Sequence, residues 1–131
     1  VVYADDSEPK RKIILNEGFD LLYGGAEQGT TPAEATAYAP FGLIETAEVE
    51  KARLITVATG AGPNEGDLNF NGHMWTDVWN FVGTGTPVPE IGIAETNVTS
   101  YLQAADNAAY FRSSADYMEA CNAFLILDLK P

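Results

Sequence analysis

A chain of 131 residues with 46% hydrophobic content, 12 Gly and 7 Pro carries enough apolar material for one packed domain and too much for a disordered segment. Its 19 acidic side chains against 7 basic ones, a formal charge of -12, repel phosphate backbones and anionic headgroups, which argues against nucleic acid as a partner. The single cysteine, Cys121, excludes an internal disulfide and a cysteine-based zinc site, and no apolar run approaches the roughly 20 residues of a spanning helix, so no membrane insertion is expected.

In chain order, Val1 to Ala4 reads as a very short strand, with Val1 expected to be a processed or excised N-terminus, and Asp5 to Pro9 as a polar turn. Lys12 to Asn16 is a β-branched strand that Phe19 to Tyr23 extends, with a bulge or turn at Asn16-Glu17-Gly18. Gly24 to Pro32 is a loop. Glu34 to Ala39 reads as a strand ended by Pro40, an alanine-rich helix being the competing reading. Ala52 to Thr59 is a clear strand closed by Gly60-Ala61-Gly62-Pro63, and Asp67 to Asn71 alternates with Leu68 and Phe70 inward. From His73 to Phe81, Trp75 and Trp79 suit one helical face, yet Trp75, Asp77, Trp79 and Phe81 also share a strand face, which is favoured. After a Gly83 to Pro89 connection, Glu90 to Ala94 starts another strand, Val98 to Leu102 a short helical turn, and Asn107 to Arg112 and Met118 to Leu129 finish as a pair.

The last of these segments is the most apolar. Ala123, Leu125, Leu127 and Leu129 fall on one side of a strand, with Phe124 and Ile126 on the other. A strand apolar on both faces is an interior strand, needing neighbours on both edges and cover on both faces, from the preceding residues or from another molecule. Eight or nine short strands without a long helical period predict a single all-β domain over residues 1–131, an antiparallel β-sandwich of immunoglobulin-like or jelly-roll type.

Motifs for chemistry fail one by one. Asp67-Leu68-Asn69-Phe70-Asn71-Gly72 opens like a calcium loop, but Val78 stands where the bidentate glutamate belongs. His73 is the sole histidine, no Gly-x-Ser-x-Gly elbow presents a serine, and Cys121 lies in an apolar strand that disfavours its thiolate. The glycine pairs lack a following Lys-Ser/Thr step. No enzyme activity and no cofactor are therefore expected. Trp75, Trp79, Tyr101, Tyr110 and Tyr117 offer rings for sugar stacking or for a core, with Trp75 leaning most to the core. Asn97-Val98-Thr99 fits the glycan acceptor pattern.

Several segments in consistent order carry a resemblance: Val1 to Asp5, Ile14 to Gly18 with Asp20-Leu21-Leu22, Ala35-Thr36-Ala37, Leu68 to Gly72 with Trp75, Val98 to Leu102, and Asn122 to Leu125. Together they resemble an uncharacterised family of secreted archaeal surface proteins with β-sandwich domains. The resemblance implies an extracellular or cell-surface location and supplies no catalytic residues. It also implies that the Val1 strand lies midway through a longer domain in relatives, so this chain would be a sandwich with open edges, completed by strands of a neighbouring copy. The expectation is a structural protein that assembles with copies of itself into a surface layer or fibre, with Val1, Val2, Tyr3, Phe124, Ile126, Leu127 and Leu129 contributing to assembly. The alternative is a carbohydrate-binding module holding cell-surface glycans on Trp75 and Trp79.

Overall fold

The computed structural model describes residues 5–81 and 91–131. Among the described residues the chain forms eight strands and no α-helix: β1 (Arg11–Gly24), β2 (Thr36–Gly42), β3 (Val49–Thr59), β4 (Gly66–Phe70), β5 (His73–Trp75), β6 (Ile91–Asn97), β7 (Asn107–Ser113) and β8 (Asp116–Leu129). Single 3-10 turns occupy Ala26–Gln28, Thr46–Glu48 and Thr99–Tyr101.

Pairing is antiparallel and follows one pattern, β1 with β8, β2 with β7, β3 with β6 and β4 with β5. The chain is thus a long ribbon doubled back at Asn71-Gly72, where both residues have positive φ, 49° and 91°, as a tight hairpin turn requires. Rolling the ribbon adds the pairings β3 with β8 and β4 with β7. The resulting sheets have the orders β1-β8-β3-β6 and β2-β7-β4-β5, called here the β8 sheet and the β7 sheet. Of the two sandwich types expected, this rolled ribbon is the jelly roll.

Between the sheets, Leu54, Ala123, Leu125 and Leu127 from one side meet Leu68, Phe70, Ala109 and Phe111 from the other, all buried. Burying a large aliphatic or aromatic side chain stabilises by roughly 1.5–3 kcal/mol, so this layer is the main source of the fold's stability. Each strand supplies it by alternation, and so the opposite residues of the same strands face outward.

Four expectations change. The last two strands do not pair with each other: β7 and β8 lie in different sheets, because rolling a ribbon carries successive strands to opposite layers. β2 does not end at Pro40 but runs to Gly42. The Pro40 carbonyl accepts from Asn16 Nδ2 at 2.7 Å, so it points away from β7, and the missing N–H falls on the same free edge and costs no ladder bond. His73 to Phe81 is a strand only as far as Trp75, since Asp77 and Trp79 take φ of 57° and 65°, which an extended chain does not. Finally, β8 finds both neighbours, β1 and β3, within its own chain; no lent strand is needed at its edges. The interior position expected for β8 is the one observed.

Candidate interaction face

What β8 lacks is cover on its second face. Register places Ile13 opposite Ile126, Leu15 opposite Phe124, and Tyr23 opposite Tyr117 across β1 and β8. Phe124 in turn opposes Ile55, while Val57 opposes Ile93 and Thr59 opposes Ile91 across β3 and β6. Residues directly opposite in an antiparallel pair share a face, so apolar residues from all four strands lie on one face, interspersed with Arg53, Glu95, Glu17, Asn122 and Glu119. Ile13, Leu15, Phe19, Leu21, Tyr23, Ile91, Ile93 and Tyr117 are each 43 to 71% exposed. At about 200 Å² for a large side chain, these eight together expose on the order of 900 Å².

Both signs of charge meet at one end of this face, where Glu8, Glu48, Glu50, Glu95 and Asp128 stand among the basic residues. Six of the seven basic residues, Lys10, Arg11, Lys12, Lys51, Arg53 and Lys130, sit at the starts of β1 and β3 and just beyond β8. Antiparallel register gathers these segments at one end of the sheet, with Arg11 and Lys51 both opposite Asp128. Arg11 Nε lies 2.5 Å from Asp128 Oδ1 and Arg53 Nη1 3.1 Å from Glu95 Oε1. The other end of the sheet carries Asp20, Asp116 and Glu119.

The residues singled out from sequence scatter. Phe124 and Ile126 lie on the exposed face, half-buried between their neighbours. Leu127 is 1% exposed and belongs to the core, so it is not available for assembly; one residue along a strand changes the face. Leu129 is half-buried and packs on the core edge. Val1, Val2 and Tyr3 lie outside the described residues. Trp79, grouped with Trp75 as a stacking surface, is buried: its ring stacks on Phe111 with centroids 4.9 Å apart, and its Nε1–H donates to Thr56 Oγ1 at 2.9 Å. Trp75 is half-buried, edge-on to Tyr101 at 5.8 Å and to His73 at 4.5 Å, and His73 stacks on Tyr101 at 4.1 Å. His73 is thereby a packing residue. Asn97 is exposed at the end of β6, with its Oδ1 accepting from the Thr99 N–H at 3.0 Å.

The exposed isoleucines of β6 were missed for a physical reason. In Ile91-Gly92-Ile93 the large residues would normally face the core, but Gly92 does, because the Trp79 backbone lies where its Cβ would be. In β1 the signal was legible: Ile13-Ile14-Leu15 is as doubly apolar as β8.

Cys121 is the extra residue of a bulge, β8 advancing from Ala120 to Asn122 while β3 steps from Ala58 to Val57. It is half-buried, and burial pushes its thiol up, opposed by the Thr59 hydrogen bond. Alkylation by iodoacetamide at pH 8 is therefore expected to be slower than that of free cysteine and to recover in denaturant; equal rates in the folded protein would contradict this placement.

Comparison with known proteins adds the following. No curated protein sequence matches the chain. A β-porphyranase of glycoside hydrolase family 86 from the human gut bacterium Bacteroides plebeius has a similar structure, with a TM-score of 0.65 at 16% identity. The match covers 100% of this chain and 23% of that one. At this identity the likeness concerns the fold alone. A family model described as a protein of unknown function, DUF3344, matches residues 1–128. The chain belongs to that family of unknown function.

Proposed function

We propose that the chain is a non-enzymatic, extracellular structural domain that associates with copies of itself through the outer face of the β8 sheet. The observation that carries this reading is the outer face on which β1, β8, β3 and β6 set their apolar residues, since strands apolar on both faces call for cover on both. The summed exposure of its large apolar residues is comparable with the approximately 800 Å² per partner of a stable protein interface. Self-complementarity favours a second copy: a two-fold contact lets one such face cover another. Sheet-on-sheet packing of this kind replaces strand lending as the mode of contact. Growth beyond a pair into a layer or fibre needs a second contact. Among the described residues, the free edges of β1 and β6 in the same sheet offer it.

Sedimentation equilibrium tests the proposal. The native chain is expected to exceed the mass of one chain as it is concentrated. Ile93→Lys, at a position 70% exposed, is expected to abolish this while shifting unfolding stability by no more than about 0.5 kcal/mol. A native chain that stays monomeric when concentrated, or an Ile93→Lys variant that associates as well as the native chain, would refute the proposal.

A further inference from the structure

The outer face of the β7 sheet has a different chemistry. Register sets Thr36, Arg112 and Asp67 in one row across β2, β7 and β4, and Tyr38, Tyr110, Asn69 and Met74 in the next, which reaches β5. The rings of Tyr38 and Tyr110 lie 5.2 Å apart at 45° and are 58% and 38% exposed. Beside them is a shallow depression of about 170 Å³ lined by Thr36, Asp67, Asn69, Met74, Tyr110 and Arg112.

The polar groups of the depression are held in place. Asp67 is 7% exposed and its Oδ2 accepts from Arg112 Nη2 at 2.5 Å and Nε at 3.2 Å. Asn69 Oδ1 accepts from the Gly72 N–H at 3.0 Å, which orients the amide. Ion pairs of this burial add little net stability, and a tyrosine pair alone would serve sheet pairing. The combination of exposed rings beside a concavity that holds oriented acceptors and donors suits a ligand that is apolar on its flat faces and hydroxylated at its rim.

We infer that this face binds a neutral polysaccharide, one sugar ring stacking on Tyr110 and Tyr38 while its hydroxyls bond to Asp67, Asn69 and Arg112. Neutrality follows from charge: Arg112 is compensated by Asp67, and a chain of net charge -12 repels an anionic polymer. The site is independent of the self-association face, which lies on the opposite sheet, and it places sugar recognition away from Trp75 and Trp79.

Native electrophoresis in gels containing galactomannan, xylan or hydroxyethyl cellulose, with alginate as the anionic control, tests the inference. Retardation is expected in a neutral gel and not in alginate. Tyr110→Ala should weaken it about tenfold, while Tyr110→Phe, which keeps the ring, and Ile93→Lys, on the other sheet, should retain it. Migration unchanged in all three neutral gels would overturn the inference. So would stronger retardation in alginate, or retardation that survives Tyr38→Ala combined with Tyr110→Ala in a variant whose circular dichroism matches the native chain.

Discussion

Replacing Trp79 with alanine is expected to lower the free energy of unfolding by about 3–5 kcal/mol, read from urea denaturation. The side chain sits between the sheets, stacked on Phe111 of β7 with the ring planes 6° apart and hydrogen-bonded to Thr56 of β3, whose own exposure is 0%. Glycines on both flanking strands admit it: a Cβ at Gly66 would come within 2.8 Å of Trp79 Cε3, and one at Gly92 would fall on the Trp79 backbone. Alanine at 79 therefore leaves a cavity that neither glycine can fill, and strands the Thr56 hydroxyl without its donor. Trp79→Phe should cost less, on the order of 1–3 kcal/mol, since it keeps most of the ring and loses the hydrogen bond. A domain of this size has roughly 5–15 kcal/mol in total, so the alanine variant should melt far below the native chain. An alanine variant that melts with the native chain would mean that Trp79 is not a core residue.

Asn107→Ala is expected to cost on the order of 3 kcal/mol by the same measurement, through lost hydrogen bonds and not lost volume. The fully buried Asn107 amide donates to the Gly42 carbonyl at 3.0 Å and the Gln103 carbonyl at 2.7 Å. Its Oδ1 accepts from the Gln103 N–H at 2.9 Å and from Asn71 Nδ2 at 2.8 Å. One side chain thus ties the end of β2, the β4–β5 turn and the approach to β7, three segments that meet where the ribbon doubles back. Asn71 extends the tie, its Oδ1 accepting from the Ala108 N–H at 2.9 Å and its Nδ2 also donating to the Tyr101 carbonyl at 2.8 Å. Asn107→Asp keeps the acceptor and loses both donations to carbonyls, so it should be at least as harmful. A loss below about 0.5 kcal/mol, the range of ordinary surface changes, would contradict this role.

How much of this was legible in the sequence follows the range of the interactions. The strands themselves were, because alternation and β-branching are local: Leu68 and Phe70 are inward as their spacing demands, and the two-faced apolar pattern of β8 marks it as interior. The bulge near Glu17 was also visible, from the glycine beside it. Sheet assignment was not, since nothing local tells β7 and β8 that rolling will separate them. Nor could spacing reveal Trp79, whose left-handed backbone breaks the period and whose role depends on two glycines each 13 residues away, Gly66 in β4 and Gly92 in β6. The expected shortage of neighbours around β8 came from the resemblance, which set the Val1 strand midway through a longer domain. With the order known, the shortage is of cover on one face.

The two outer faces then divide the work. The proposed association through the β8 sheet would leave the β7 sheet free, so that an assembly would present many copies of the Tyr38 and Tyr110 surface. Weak single-site sugar binding becomes strong when many sites engage one polymer.

Side-chain footprinting by hydroxyl radicals, followed as the native chain is concentrated, tests the shared face most directly. Protection should rise together at Ile13, Leu15, Phe19, Ile91 and Ile93, with Tyr38 and Tyr110 unchanged. Labelling of those five that is indifferent to concentration, or protection rising on the tyrosines instead, would contradict association through the β8 sheet.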